Sequence, residues 1–445
     1  MKVLLIQAPL GTKEPPIYPL GLSYISTALN GHDVNILDPN FSKEPFIDIG
    51  NAILSLEPDV IGISLRNIDN QERRNFFYYF KSLNPTLKLI REKRPDVFIV
   101  LGGAGFSMFA KTIMERFSEI DFGIYLEGEE SFPELLDNLN NPEKVSGVYY
   151  QKDGRVFFTG LRNLPDFSKM PIPKKDIIDV KRYAVHRDAI GIQTKRGCAS
   201  RCCYCTYYNL NGNRLRMRSP EHIVDEIEEL VYKYNISSFM FADALFNIPM
   251  EHATYICREI LKRGLKVEWS CWCEPKHMTK DFLLLAKEAG CKFIAYSPDA
   301  LSDMALNSLN KTISKKDVEK VYSYAKEIDG IRTEFGFFIS PPGETLKGLL
   351  STLWFFIKAN AALVLKRKGA VGLNWIRIEP ETKAYEIAKG EGVISEDINL
   401  LPEDTTGKEL FYIQPSLKKY NVFVDFFLGI VEFIKGRKGK SNVKK

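Results

Sequence analysis

Lys195-Arg196-Gly197-Cys198-Ala199-Ser200-Arg201-Cys202-Cys203-Tyr204-Cys205 packs four of the chain's eight cysteines into eight positions. Three thiolates spaced C-x3-C-x2-C on one loop can hold three irons of a [4Fe–4S] cube and leave the fourth iron to an exogenous ligand. A structural zinc wants four closed ligands, usually from two separated C-x2-C pairs. No second pair at that spacing follows, and Cys271-x-Cys273 is the nearest approach. Reading Cys203 as a ligand instead of Cys202 gives C-x4-C-x-C, which crowds a cube, so Cys203 reads as a small packed side chain. The expected metal ligands are Cys198, Cys202 and Cys205.

Outward from this loop the chain alternates short apolar runs with longer amphipathic ones, the pattern of βα units on a parallel sheet. Downstream strands are expected at Ser238–Ala242, Lys266–Cys271, Lys292–Ser297, Arg332–Ile339 and Val371–Ile378, with helices starting at Pro220, Met250, Lys280, Ser314 and Thr345. A strand at Ala189–Thr194, just before the cysteines, makes six. Upstream, the Pro-rich stretch Leu164–Pro173 reads as a linker and Val148–Phe158 as a hairpin turning at Lys152-Asp153-Gly154. Before that come strands at Lys2–Gln7, Asp33–Leu37, Val60–Ser64, Val97–Leu101 and Phe122–Leu126. Ligands of such sheets sit past the carboxyl ends of the strands, which directs attention to Ser64-Leu65-Arg66, Gly102-Gly103-Ala104-Gly105 and Glu127-Gly128-Glu129.

Composition narrows the classes. With 45% hydrophobic and 26% charged residues the chain is an ordinary globular one. Lys plus Arg less Asp plus Glu is 61 − 56 = +5, yet residues 435–445 alone carry six basic residues and no acid. The remainder is close to neutral at −1, which argues against a nucleic-acid surface. No stretch reaches the roughly 18–20 apolar residues of a membrane span, and the N-terminus shows no cleavage site. Together with clustered thiols, this makes the cytoplasm the expected location.

The cysteine spacing, the aromatic Tyr204 before the third cysteine and the strand ahead of the loop resemble the radical S-adenosylmethionine (SAM) family. The loop order of the first region resembles the cobalamin-binding domain at the front of many of its members. That likeness implies an α/β protein. Residues 1–142 would form a Rossmann-like cobalamin-binding domain with a parallel sheet and 143–185 a hairpin and linker. Residues 186–380 would form a partial (β/α)6 radical SAM barrel and 381–445 a small, mainly helical C-terminal region with a basic tail. It implies cobalamin contacts at Ser64, Leu65, Arg66, Gly102, Gly103, Glu127 and Gly128, without the cobalt-binding His motif of cobalamin mutases, since residues 8–31 hold no His. Residues Ser64–Asn70 look like the matching stretch of the tryptophan methyltransferase of thiostrepton biosynthesis, which would set Arg66 at the lower face of cobalt; the alternative is an ordinary pairing of Arg66 with Asp69 or Glu72.

By the same likeness the [4Fe–4S] cluster binds SAM, with contacts from Tyr204, Asp243, Ser297, Gly343 and Glu344. Asp243 stands without the family's usual glycines and Ser297 where relatives have an acid. Asp243, Ser297 and Glu344 singly also read as helix caps. The implied activity is methyl transfer from SAM through methylcobalamin to a carbon or phosphorus centre of a small-molecule, natural-product or lipid precursor, with electrons from a donor such as flavodoxin or ferredoxin. The alternatives are a cobalamin-using cyclisation or rearrangement without net methylation, a polar methyl transfer, and a non-catalytic zinc module. The apolar run Val422–Ile434 reads as a helix packing over the barrel mouth, with a peripheral membrane contact as its second reading. No general base is assigned.

Overall fold

The computed structural model describes residues 1–11, 16–365, 368–403, 405 and 407–442; Lys444 and Lys445 of the basic tail lie outside them. Seven strands form the first sheet: β1 Lys2–Gln7, β2 Asp33–Leu37, β3 Val60–Ser64, β4 Phe98–Gly102, β5 Phe122–Ile124, β6 Val148–Lys152 and β7 Arg155–Phe158. Their order is β2-β1-β3-β4-β5-β6-β7. The first five run parallel, and the β6–β7 hairpin continues the sheet antiparallel from β5. The expected hairpin is thus built into the first sheet. Residues 2–7 read Lys-Val-Leu-Leu-Ile-Gln and are buried from Val3 onward, because helices cover both faces of a parallel sheet.

The second half of the molecule carries β8 Gly191–Ile192, β9 Lys195–Arg196, β10 Arg216–Met217, β11 Ser238–Phe241, β12 Glu268–Cys273, β13 Cys291–Asp299, β14 Arg332–Phe338 and β15 Gly369–Asn374. Six of these form one parallel sheet in the order β15-β14-β13-β12-β11-β8, while β9 and β10 pair as a separate antiparallel ribbon. The sequence places the first of these strands at Ala189–Thr194; it is only two residues long, because Thr194 and Lys195 turn their backbone N–H groups to the Asp243 carboxylate. Beyond the sheet lie β16 Ile376–Arg377 and β17 Phe411–Tyr412, an antiparallel pair, so the C-terminal region is helical with one short ribbon.

Local chemistry explains where the helices begin. Ser219 caps the helix Pro220–Tyr232 by accepting from His222 N at 3.2 Å, with Pro220 in the first turn. Ser314 and Asp317 form a capping box for Lys315–Glu327. A single large core spans both halves, from Leu4 and Ile61 to Trp269, Phe335 and Leu401.

Buried polar ties join the halves. Asp69, past β3, pairs with Arg377 of β16 at 3.0 Å, both fully buried. Gln71 donates to Glu379 Oε1 at 3.2 Å, and its carbonyl accepts from Asn374 Nδ2 at 2.8 Å. The last helix, Lys418–Asn442, seats Val424 and Leu428 in the core, and its Asp425 meets Arg73 at 2.9 Å.

Candidate functional site

Two cavities lie at the carboxyl ends of the two sheets. The first, of about 230 Å³, has Cys198, Cys202 and Cys205 in its wall, with Tyr204, Ala244, Leu245, Glu274, Ser297 and Lys311. All eight cysteines are free thiols. The loop holding the three is shaped by backbone: Cys198 N donates to Gly212 O at 3.0 Å, Cys205 N to Cys202 O at 3.1 Å, and Gly197 adopts φ +92°. A Cβ on Gly197 would sit 2.0 Å from Arg214 O, so only glycine lets the loop leave β9 this close to β10. Cys203 points away, buried, and its backbone meets Leu309 O and Ala384 N. Among the described residues no three His, Cys, Asp or Glu side chains converge closely enough to hold a single metal ion.

Burial raises the pKa of the Cys202 thiol and pushes that of Cys205 up to about 11, although Lys311 and, for Cys205, the Tyr207 N–H work the other way. Three soft donors on one wall fit an iron–sulfur cube, whose binding must first displace their protons. Lys311 supplies the positive charge. Its Nζ donates to Ser297 O at 3.0 Å and contacts the Asp299 carboxylate, which also accepts from Tyr204 OH at 2.5 Å. Burial works against the Lys311 ammonium, but Asp299 and Cys202 outweigh it and leave its pKa raised, so the group stays charged. Asp299 reaches this position with φ +69°, a left-handed conformation at the end of β13.

Glu274, at the exit of β12, is, like Lys311, a polar group on this wall to which the sequence assigned no role. Oε1 accepts from Thr312 Oγ1 at 2.9 Å; Oε2 is buried without a hydrogen-bond partner among the described residues, with His277 Nε2 at 3.8 Å. An acid following the strand that ends in Cys271-Trp272-Cys273 was the available signal.

The residues expected to meet SAM divide. Tyr204 and Ser297 line the cavity, whereas Asp243 does not. Its carboxylate is committed to Thr194 and to Lys195, whose Nζ lies 3.2 Å away, and Ala244 and Leu245 take its place in the wall. Gly343 and Glu344 also stand apart: Gly343 N donates to Gln414, and Glu344 Oε1 accepts from Ser302 Oγ and Thr345 N. Thr345 and Thr382 cap the helices that follow them, accepting from Gly348 N and Tyr385 N.

The second cavity, of about 250 Å³, opens at the end of the first sheet. Gly21, Gly62, Gly102, Gly103 and Gly128 bring bare backbone into its lining, with apolar Leu22, Ile25, Ile124 and Phe132. Ser64 and Glu127 also line it, while Leu65 and Arg66 lie behind. Leu65 N donates to Gly102 O at 2.8 Å, and Gly105 N reaches both the Leu65 and Arg66 carbonyls at 2.9 Å. A Cβ on Gly103, at φ +100°, would meet Leu65 O at 2.6 Å, so glycine is what lets these two loops interlock. Leu126 also lies in the left-handed region, at φ +68°, and its N–H is held by Ser107 Oγ at 2.9 Å. A glycine-lined, largely apolar recess suits a bulky cofactor with an apolar or heterocyclic arm.

Between the cavities stands Arg196. It lines the second cavity, two residues before Cys198 of the first, and pairs with Glu127 at 2.8 Å and Glu129 at 2.7 Å. Arg216 joins Glu127 from the paired strand, with Nη1 2.9 Å from Oε2. The rings of Tyr24 and Phe167 face the Arg196 guanidinium at 4.8 and 4.5 Å. Burial opposes its charge, yet Glu129 and Glu127 more than compensate.

Comparison with known proteins agrees with this division. Residues 7–136 match the model of the B12 binding domain and residues 192–355 that of the radical SAM superfamily. An uncharacterized methyltransferase of Pyrococcus horikoshii is 27% identical over 374 residues, covering 80% of this chain and 77% of that one. The cytidylyl-2-hydroxyethylphosphonate methyltransferase of Streptomyces wedmorensis is 24% identical over 454 residues, covering 85% and 82%. The radical SAM methyltransferase TsrM from Kitasatospora setae, solved with cobalamin and a [4Fe–4S] cluster, superposes with a TM-score of 0.80 at 20% identity, over 96% of this chain and 90% of that one.

Proposed function

Because the chain belongs to the B12-binding radical SAM enzymes, we propose that it moves a methyl group from SAM through cobalamin to a carbon or phosphorus centre of a small molecule or lipid precursor. The observation that carries this reading is the short strand β9. It gives Arg196 to the glycine-lined cavity and runs directly into the loop whose three thiols line the other.

When bound, the three cofactors supply the electron, the methyl group and its carrier. The chain's own part is positioning. Cys198, Cys202 and Cys205 would hold the cluster at three corners, leaving the fourth to SAM. Lys311, kept charged by Asp299, would offset the negative charge of the thiolates and offer a cation to a carboxylate. Glu274 Oε2 would accept a hydrogen bond from an ammonium group. Ser64 and the backbone of Gly102, Gly103 and Gly128 would seat cobalamin, with Glu127 held against the barrel by Arg196 and Arg216. An external one-electron donor of the flavodoxin or ferredoxin type would reduce the cluster. The free thiols suit a reducing cytoplasm, and the C-terminal helix is where a peripheral membrane contact would form.

Single turnover of the reconstituted enzyme with SAM labelled as deuteromethyl tests this without a known substrate. The expected result is trideuteromethylcobalamin on the protein, read by mass spectrometry. Unlabelled cobalamin after reduction in the presence of labelled SAM would overturn methyl transfer and leave a cyclising or rearranging reaction in its place.

A further inference from the structure

Two helices meet at one ring contact: Leu346–Leu365, after β14, and Lys418–Asn442, with the rings of Phe356 and Phe427 at 6.1 Å. Each buries one stripe and exposes another. On the first, Leu349, Phe355 and Ala359 are buried while Leu350 is 57%, Trp354 65% and Ile357 46% exposed. On the second, Val424 and Leu428 are buried while Val422 is 70%, Phe423 72% and Phe426 70% exposed. These spacings place each exposed set on one side of its helix, and the ring contact joins the two helices. Single exposed hydrophobics are ordinary, but two stripes of large ones on neighbouring helices, with a Trp and two Phe, mark a contact surface.

Charge selects the occupant. The second helix runs into basic sequence, Lys435, Arg437, Lys438, Lys440, Lys444 and Lys445 without an acid, whereas Lys368, after the first, is engaged by Asp329 at 2.7 Å. Asp425 is already taken by Arg73 and Arg74. A second copy seated on this face about a two-fold axis would set these like charges against one another. A surface that is apolar and carries anions accommodates both features. Among the described residues no helix is long and apolar enough to cross a membrane.

We propose that this face seats on the surface of an anionic bilayer, the two apolar stripes entering the headgroup boundary and the basic C-terminal sequence meeting lipid phosphates. The full chain, reconstituted with its cofactors, is floated with phosphatidylcholine vesicles with and without phosphatidylglycerol. Binding is expected to the phosphatidylglycerol vesicles, at least about tenfold weaker to phosphatidylcholine alone or in high salt. The double variant Phe423→Glu/Phe426→Glu should lose about tenfold or more of that binding while keeping wild-type iron and corrinoid content. Trp354→Glu, on the other helix, gives the same readout should the double variant misfold. Absence of flotation, or flotation unchanged in these variants, overturns the proposal. So does a lipid-free dimer that Phe423→Glu converts to monomer, since the occupant would then be a second copy.

Discussion

The two cavities are built from different materials. The one at the barrel has its character in side chains: three thiols, a buried lysine and a carboxylate oxygen without a hydrogen-bond partner among the described residues. The one at the first sheet has its character in backbone, with five glycines in its lining and apolar side chains filling the rest. Reactive side chains at one site and bare backbone at the other suit a cluster that is ligated and a large cofactor that is enclosed. The difference predicts that the two sites fail separately when their own parts are changed, and together only when the tie between them is cut.

Cys198→Ala should have the largest effect. Iron, sulfide and the iron–sulfur absorption should be lost and methyl transfer should fall below detection, while corrinoid content stays at the wild-type level. Loss of both cofactors would contradict the separation. Cutting the tie is the opposite experiment. Glu127→Ala leaves the buried guanidinium of Arg196 with Glu129 and the Gln193 amide oxygen and removes the carboxylate at the fork of Arg216, and removing one partner of a buried pair costs about 3–5 kcal/mol. Chemical denaturation should show that loss, and iron and corrinoid retention should drop together.

Glu379 probes the seam between the halves by pH. Burial pushes its carboxyl up to about 7, with Arg377 opposing and Asp69 adding to the shift, and Oε2 has no hydrogen-bond partner among the described residues. A carboxyl whose folded pKa lies above its unfolded value of about 4.5 contributes full stability below that value and loses it as pH rises through the folded pKa. Wild type should therefore weaken between pH 5 and pH 8 relative to Glu379→Gln, by up to about 3 kcal/mol. A thermal-unfolding difference that does not change over that interval would contradict it. Gly103→Ala is the mildest change. The new Cβ clashes with Leu65 O in a left-handed residue, which should cost about 2 kcal/mol and lower corrinoid retention with iron content unaffected.

The same contrast explains what could be read from the chain alone. The cluster loop was legible because its chemistry lies within eight consecutive positions, and the parallel sheets were legible because apolar runs such as Val3–Ile6 and Val60–Ile63 are buried on both faces. The glycine cavity was half legible: Gly102-Gly103 and Glu127-Gly128 stand out after strands, but Gly21 and Gly62 carry no local signal of a lining. The partnerships of Asp243 with Lys195, of Glu127 with Arg196 and Arg216, and of Lys311 with Asp299 were hidden. Most join residues dozens of positions apart, and even Asp299 and Lys311, twelve residues apart, meet only because the chain leaves β13 through a left-handed turn. The family likeness suggested a SAM contact at Asp243; the neighbouring Thr194 hydroxyl and Lys195 ammonium already engage its oxygens.

The most direct test of the central claim is quantification of metal and corrinoid in protein purified without oxygen and reconstituted with iron, sulfide and hydroxocobalamin. The account predicts about four irons and four sulfides with one corrinoid per chain, and cluster absorption that disappears in Cys198→Ala. Zinc in place of iron, or a complete cluster on a protein that retains no corrinoid, would contradict it.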